Sequence, residues 1–312
     1  MNLEREAYQQ RGVQGLLKWN SRSSLYSSDM TVAWTMMLPA LLFSILMIGF
    51  PILYTLYVSF FQWHIGAGSS VFVGLHNYEQ MLGSSTFWKS TRITMEIFIL
   101  SMLFEVVLGI YCGIVFGRDG RGMGMLRGLL FIPSIVPPVA VGMIWVQLFD
   151  PSLGFVDYFL SLFGVKSVLW LSNPHVVVLS LAIVDIWEWT PFIAIIVAGG
   201  MQSMSEEPFE SALIDGATPW QTLRYITLPL LRPIIFVAVM LRAVDLLRIF
   251  DSIYIMTQGG PNNSSLSLNV YSYLEAFQYS NLGYASALML GLLVLVFAVM
   301  ALLNAVKGRY AQ

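Results

Sequence analysis

Two carboxylates and two indoles stand together in one apolar stretch of the chain. Asp185 and Glu188 are three residues apart, so a helix would put them on one face, and Trp187 and Trp189 flank Glu188. Carboxylates accept hydrogen bonds from hydroxyls, and an indole offers a face on which a ring can stack, so such a set suits a sugar. A second set is Arg242, Asp245 and Arg248, in which the acid stands three residues from each arginine and can pair with either. An arginine left over from that pairing could bind an anionic sugar or a phosphate. Each set also has a purely structural reading: the aromatics pack, the acids bond to another helix, and Asp245 closes an ion pair. Glu96 and Glu105 lie nine residues apart, on opposite faces of a helix, and cannot form one site.

No catalytic constellation accompanies these residues. The chain contains no Gly-x-x-x-x-Gly-Lys-Ser/Thr loop to cradle the phosphates of ATP. The stretch from Gly120 to Gly124 follows no strand, has the wrong spacing and reads as a turn. His64, His76 and His175 are scattered without metal-ligand spacing, and the single cysteine, Cys112, lies in an apolar run. Asn262 and Asn263 each begin an Asn-x-Ser triplet, a match expected by chance. The expectation is a non-enzyme that itself holds neither cofactor nor metal.

The elements that would position the acids and arginines are membrane helices. Of 312 residues, 57% are hydrophobic and 11% charged, and the mean hydropathy is +0.71. A soluble domain usually carries about 25% charged residues. A net charge of −2 without a basic run gives no footprint for nucleic acid. Six stretches reach the roughly 20 apolar residues that a span requires, at 32–60, 93–116, 126–149, 176–197, 234–256 and 285–306. Pro133, Pro137 and Pro138 interrupt the third and Pro191 the fourth, which a membrane helix tolerates where neighbours satisfy the freed carbonyls. Asp185 then lies about 14 Å into the fourth span, and an ionised group there costs about 2.5–3.5 kcal/mol unless it faces protein or water. The second set, Arg242, Asp245 and Arg248 in the fifth span, falls near the same depth.

Basic residues orient the spans. Arg5, Arg11, Lys18 and Arg22 precede the first; Arg118, Arg121 and Arg127 lie between the second and third; Arg224 and Arg232 between the fourth and fifth; Lys307 and Arg309 follow the last. The other side has only Lys89, Arg92 and Lys166. Positive-inside logic places both termini in the cytoplasm, with a tail at 1–30, a first helix at 31–60, an outer loop at 61–92, five helices within 93–306 and a short tail at 307–312. The first apolar run starts too late and is too long for a cleaved signal peptide, so it stays as an anchor. The first tail, with Leu16, Leu17 and Trp19 scattered in it, is either a surface-lying segment or disordered.

The connection at 202–229 has the physics of two short helices around a glycine. Ser205 can cap the first helix, Glu206 and Glu207 suit its first turn, and Gly216 fits a stop with positive φ. Thr218, Pro219 and Gln221 then make a capping-box start, and Pro229 ends the second helix near the membrane. Such a knob offers a rigid surface to a partner.

This segment resembles the Glu-Ala-Ala loop of permeases from binding-protein-dependent ATP-binding cassette importers. It reads Glu210-Ser211-Ala212, then Asp215-Gly216-Ala217, then Ile226-Thr227-Leu228-Pro229, and departs centrally only in Ser211. Further stretches resemble the carbohydrate-uptake branch: Phe72-Val73-Gly74-Leu75-His76-Asn77-Tyr78, Phe250-Asp251 through Thr257-Gln258-Gly259-Gly260-Pro261, then Tyr271, Ala276-Phe277 and Gly283 to Ala287. Gln258 replaces a commoner glycine, which predicts a less extreme turn. The resemblance covers about residue 30 to the end. It implies an all-α polytopic protein of the type I importer permease fold, set in membrane lipid. It implies as partners a second, homologous permease, two cytoplasmic ATPase subunits that use the ATP, and an outer solute-binding protein that delivers the carbohydrate. The residues Glu210, Ser211, Ala212, Asp215, Gly216, Ala217, Ile226, Leu228 and Pro229 would then couple the chain to its ATPase. The competing reading, a stand-alone proton-coupled carrier using buried acids, gives no purpose to the capped knob.

Overall fold

The computed structural model describes residues 23–310, except 67, 118, 119 and 121. The tail residues before Ser23, with Arg5, Arg11, Lys18 and Arg22, as well as Arg118, Arg121 and the side chain of Arg309, lie outside the described residues. The chain forms two units, Met1–Tyr57 and Val58–Gln312. In the first, α1 (Ser23–Ser44) continues through a π-helical turn at Ile45–Gly49 into α2 (Phe50–Val58). Its apolar part, Val32–Val58, is long enough to cross a membrane.

The second unit opens with a two-stranded hairpin, β1 (Phe61–Gln62) against β2 (Val71–Phe72), and the short helix α3 (His76–Gly83). Asn77 donates to the carbonyls of Ser59 and Phe61 at 2.8 and 3.0 Å, so the Asn-Tyr pair noted in the sequence ties the start of the hairpin to α3. The long helix α4 (Ser85–Phe116) is capped by Ser84, whose hydroxyl accepts from Phe87 N. It begins earlier than the expected start at 93, because Lys89 and Arg92 end the apolar run without ending the helix.

Next come α5 (Met123–Ile135) and α6 (Pro138–Leu148), bent by 92° where one kinked span was expected. Val136 precedes Pro137 and is held extended at ψ 132°, and Pro137 itself has ψ 136°, so the helix cannot continue through this pair. The short α7 (Phe155–Ser161) leads to α8 (Val177–Gln202).

Helices α4 and α8 pack closely. A Cβ on Gly109, Gly113 or Gly117 would fall 2.7, 2.6 or 2.9 Å from side-chain atoms of Ile193, Val197 and Met201 respectively. These glycines recur every four residues and let the two backbones approach, as small residues do between membrane helices. The partners follow in the same order along both helices, so α4 and α8 run parallel. The segment between them must therefore return across their full length. Its contacts agree: Arg127 Nε reaches the Phe116 carbonyl at one end, Ser134 Oγ donates to the Glu188 carbonyl midway, and Phe149 stacks on Trp170, which is tied to Ser180, at the other. Bent as it is, α5–α6 runs the length of the α4–α8 pair, as a single crossing would.

After α8 come α9 (Glu207–Ile214) and α10 (Pro219–Thr222); a π-helical turn at Leu223–Thr227 then carries α10 into α11 (Leu228–Leu246). Pro229 was expected to end a helix here. Instead the helix runs through it: the π-helical turn at Leu223–Thr227 leads directly into α11, and Pro219–Leu246 forms one spanning stretch. The fifth span also stops at Leu246 rather than at 256. Its end tightens through Arg248 N to Asp245 O and Ile249 N to Leu246 O bonds before α12 (Asp251–Met256) starts. Arg248 therefore lies beyond the helix, not at its middle. The turn after α12 keeps positive φ at Gln258 (50°), Gly259 (86°), Asn262 (49°) and Asn263 (56°), so glutamine there does not relax it as expected. Finally α13 (Leu268–Tyr273) and a π-helical turn lead to the last span, α14 (Leu282–Tyr310).

Candidate functional site

Asp185 sits eight residues from the Val177 end of α8, about 12 Å along it, on a face turned towards α4 and α11. There it meets Arg242 of α11, a guanidinium with only 2% exposure. Arg242 Nη2 donates to Asp185 Oδ1 at 2.7 Å and to Glu105 Oε1 at 3.1 Å; Nε donates to Glu105 Oε2 at 2.8 Å, and Nη1 to Asp245 Oδ2 at 2.8 Å. Its Cζ lies 4.7 Å from the centroid of the Trp189 ring. Every nitrogen of the guanidinium is engaged by a carboxylate, on three different helices. Asp245 thus pairs with Arg242 rather than Arg248, whose Nε instead donates to the Val244 carbonyl.

Glu105 is the residue that sequence reasoning missed. The sequence weighs it against Glu96 and counts it among the acids of a proton-coupled carrier, but does not place it with Arg242; Glu96 pairs with Arg92 at 2.7 Å, while Glu105 itself is fully buried. The signal was present: a lone acid in an otherwise apolar span, four residues before the first glycine of the close-packed ladder.

The cluster forms one wall of a cavity of about 110 Å³, lined by Asp185, Glu188, Trp189, Asp245, Arg248 and Asp251 among others. Asp185 Oδ2 is buried without a hydrogen-bond partner. The Glu188 carboxylate also makes no hydrogen bond among the described residues. The structure therefore brings together Asp185, Glu188, Arg242, Asp245 and Arg248 from the candidate set. It does not bring in Trp187, whose ring turns away to meet Trp145 edge-on at 5.6 Å; Trp189 is the indole at the cavity.

At the other end of α8, the knob has its expected local chemistry. Gly216 adopts φ 72° and closes α9 with two bonds, Gly216 N to Leu213 O and Ala217 N to Ala212 O, a Schellman stop. Thr218 and Gln221 form the capping box. Ser205 is not the cap it was expected to be: Glu206 holds the N-cap position without a side-chain cap bond, and Ser205 Oγ, one residue earlier, accepts from Glu207 N at 3.3 Å. Within this loop Ala212 is buried and Ile226, Leu228 and Pro229 are half-buried, so these four pack the knob onto the spans. Glu210, Ser211 and Asp215 are exposed, beside Leu213, Ile214 and Trp220 at 83, 85 and 66% exposure. Glu210 has no ion partner among the described residues.

Known proteins are similar to this chain in sequence and in fold. The chain is 34% identical over 264 residues, 85% of its length and 88% of the relative's, to the trehalose/maltose transport system permease protein MalF of Thermococcus litoralis. It is 28% identical to the trehalose transport system permease protein SugA of Mycobacterium tuberculosis, over 91% of this chain and 89% of that one. Its fold matches that of a chain in a bacterial ABC transporter involved in the import of the acidic polysaccharide alginate, with a TM-score of 0.79, 21% identity, and 94% and 99% of the two chains covered. Residues 105–312 match the model of a family described as the binding-protein-dependent transport system inner membrane component. The chain belongs to that family, as a multi-pass inner-membrane permease subunit with the type I importer fold.

Proposed function

We propose that this chain forms one half of the solute pathway of an ATP-driven importer for carbohydrate. A second, homologous permease supplies the other half, two cytoplasmic ATP-binding cassette subunits hydrolyse ATP, and an outer solute-binding protein delivers the sugar. The chain itself is no enzyme and takes no cofactor. The observation that carries this reading is the knob: a rigid, capped pair of helices that presents an unpaired carboxylate and three large apolar side chains outward. Carbohydrate as the solute is supported by relatives named for trehalose and maltose. At the cavity, the Glu188 carboxylate makes no hydrogen bond among the described residues and stands beside Trp189, a pairing that suits a hydroxylated ring. Arg242 is committed to protein carboxylates, so an anionic group would have to be met by Arg248.

The test is sugar uptake together with ATPase retention on the purified complex. Glu210→Ala removes the charge that would meet a basic residue of the docked subunit, a loss of roughly 2–5 kcal/mol when one side of a hydrogen-bonded pair is truncated. Gly216→Val forces a branched side chain into positive φ, at about 1–2 kcal/mol, and misdirects α10. Both variants should insert into the membrane yet lose transport, through a loosened ATPase or uncoupled hydrolysis. Normal uptake and retention in both would remove the assignment.

A further inference from the structure

We infer that α7 lies in the outer interface of the bilayer and holds lipid at the headgroup–acyl boundary with a row of aromatic side chains. On one face of this helix and its continuation, Phe155, Tyr158, Phe159, Leu162 and Phe163 are 62, 64, 51, 65 and 71% exposed. The rings of Phe155, Phe159 and Phe163 follow one another at 6.4 and 5.3 Å, and among the described residues their only ring contacts are within this row. The opposite face is fixed inward by Asp157, which accepts from Ser167 Oγ at 2.6 Å, Trp170 Nε1 at 2.8 Å and Val168 N at 3.2 Å. Asp157 is the only charged residue between Asp150 and Lys166, so the outward face carries no charge.

The depth of the row follows from what α7 is fastened to. A Cβ on Gly154, the residue before the helix, would fall 2.5 Å from the Leu148 carbonyl and 2.4 Å from that of Asp150, so the turn is folded directly onto the last turn of α6. Beyond the helix, Trp170 stacks on Phe149 at 5.2 Å and its carbonyl accepts from Ser180 Oγ, in the first turn of α8. The row is thus pinned at the level where two crossing helices leave the membrane. At that level aromatic and aliphatic side chains concentrate, and a charge-free face settles among lipids rather than in water. Exposed Lys166, just past the row, suits an anionic headgroup.

The proposal is tested with nitroxide labels on Phe159→Cys and Phe163→Cys, in a Cys112→Ser background, with the importer complex in vesicles of phosphatidylethanolamine and phosphatidylglycerol. Collisions with oxygen should exceed those with a water-soluble nickel chelate at both positions, and the order should reverse at Lys166→Cys. Nickel exceeding oxygen at 159 and 163 would show a water-facing row and overturn the proposal. Protection from both reagents would overturn it too, since a protein subunit would then cover the face. Should Phe159→Cys fail to assemble, Leu162→Cys on the same face is read in the same way.

Discussion

At the scale of single residues, one buried cation holds three carboxylates, and the consequences of removing each differ. Arg242→Met leaves Glu105 and Asp185 facing one another without compensation, and breaking a buried pair from one side typically costs about 3–5 kcal/mol. The variant is expected to lose much of its folded yield and melting temperature in detergent. Glu188→Gln touches no ion pair, so it should assemble normally while solute transport weakens in apparent affinity or rate. Thermal melting and uptake on the same preparations separate the two effects; a Glu188→Gln complex with unchanged transport would make that face structural. Asp185→Asn combines both roles, because one oxygen binds Arg242 and the other is unpartnered. Charge spacing along α8 and α11 made Asp185, Glu188 and an ion pair of Asp245 legible in the sequence, but left its partner open between Arg242 and Arg248. Glu105 was not, because its partner lies 137 residues away and no local periodicity encodes a contact between helices.

At the scale of elements, the glycines of α4 do for helix packing what Arg242 does for charge. Gly113→Val would place a branched side chain within 2.6 Å of Val197 and 2.8 Å of the Ala194 carbonyl, where neither neighbour is a flexible chain end. Overpacking of this kind costs about 1–3 kcal/mol, and here it would also push α4 from α8. Gly128→Val, with nothing near its Cβ position, is the control. The first variant should lower the melting temperature measurably and the second should not; equal behaviour would mean that α4 and α8 can separate without cost. Apolar length was enough to find every long apolar helix, since hydropathy marks such runs directly. It could not find their ends: Lys89 and Arg92 hide about two turns of helix from 85 onward only because charge interrupts the apolar run. It also gave no warning that 234–256 is a span followed by a separate short helix, because hydrogen-bond tightening after Asp245 leaves no mark on composition.

At the scale of the whole molecule, the number of crossings decides which side each loop occupies, and the bent pair α5–α6 is the point on which that number turns. If 123–148 crossed and came back, the turn at Gly120 would share a side with the loop at 150–175, and the knob would lie opposite both. If it crosses once, the Gly120 turn shares a side with the knob. The parallel run of α4 and α8 favours a single crossing, because two parallel helices in one chain need a return between them. A single crossing gives six in all and sets both termini on one side. Basic residues on the Gly120 turn, around Arg224 and Arg232, and at Lys307 then place that side in the cytoplasm. The prediction is read from cysteines placed one at a time in a Cys112→Ser background: Gly120→Cys and Thr218→Cys on the expected inner side, Ser152→Cys and Asn263→Cys on the outer. In intact cells an impermeant thiol reagent should label the last two and spare the first two, and permeabilisation should expose all four. Labelling of Gly120→Cys together with Ser152→Cys would show that α5–α6 turns back. Labelling of Thr218→Cys in intact cells would invert the molecule and put the knob out of reach of any cytoplasmic ATPase. The knob can transmit hydrolysis to the cavity only if the first pattern is found, because α8 runs unbroken from Asp185, about a third of the way along it, to the turn before the α9 knob.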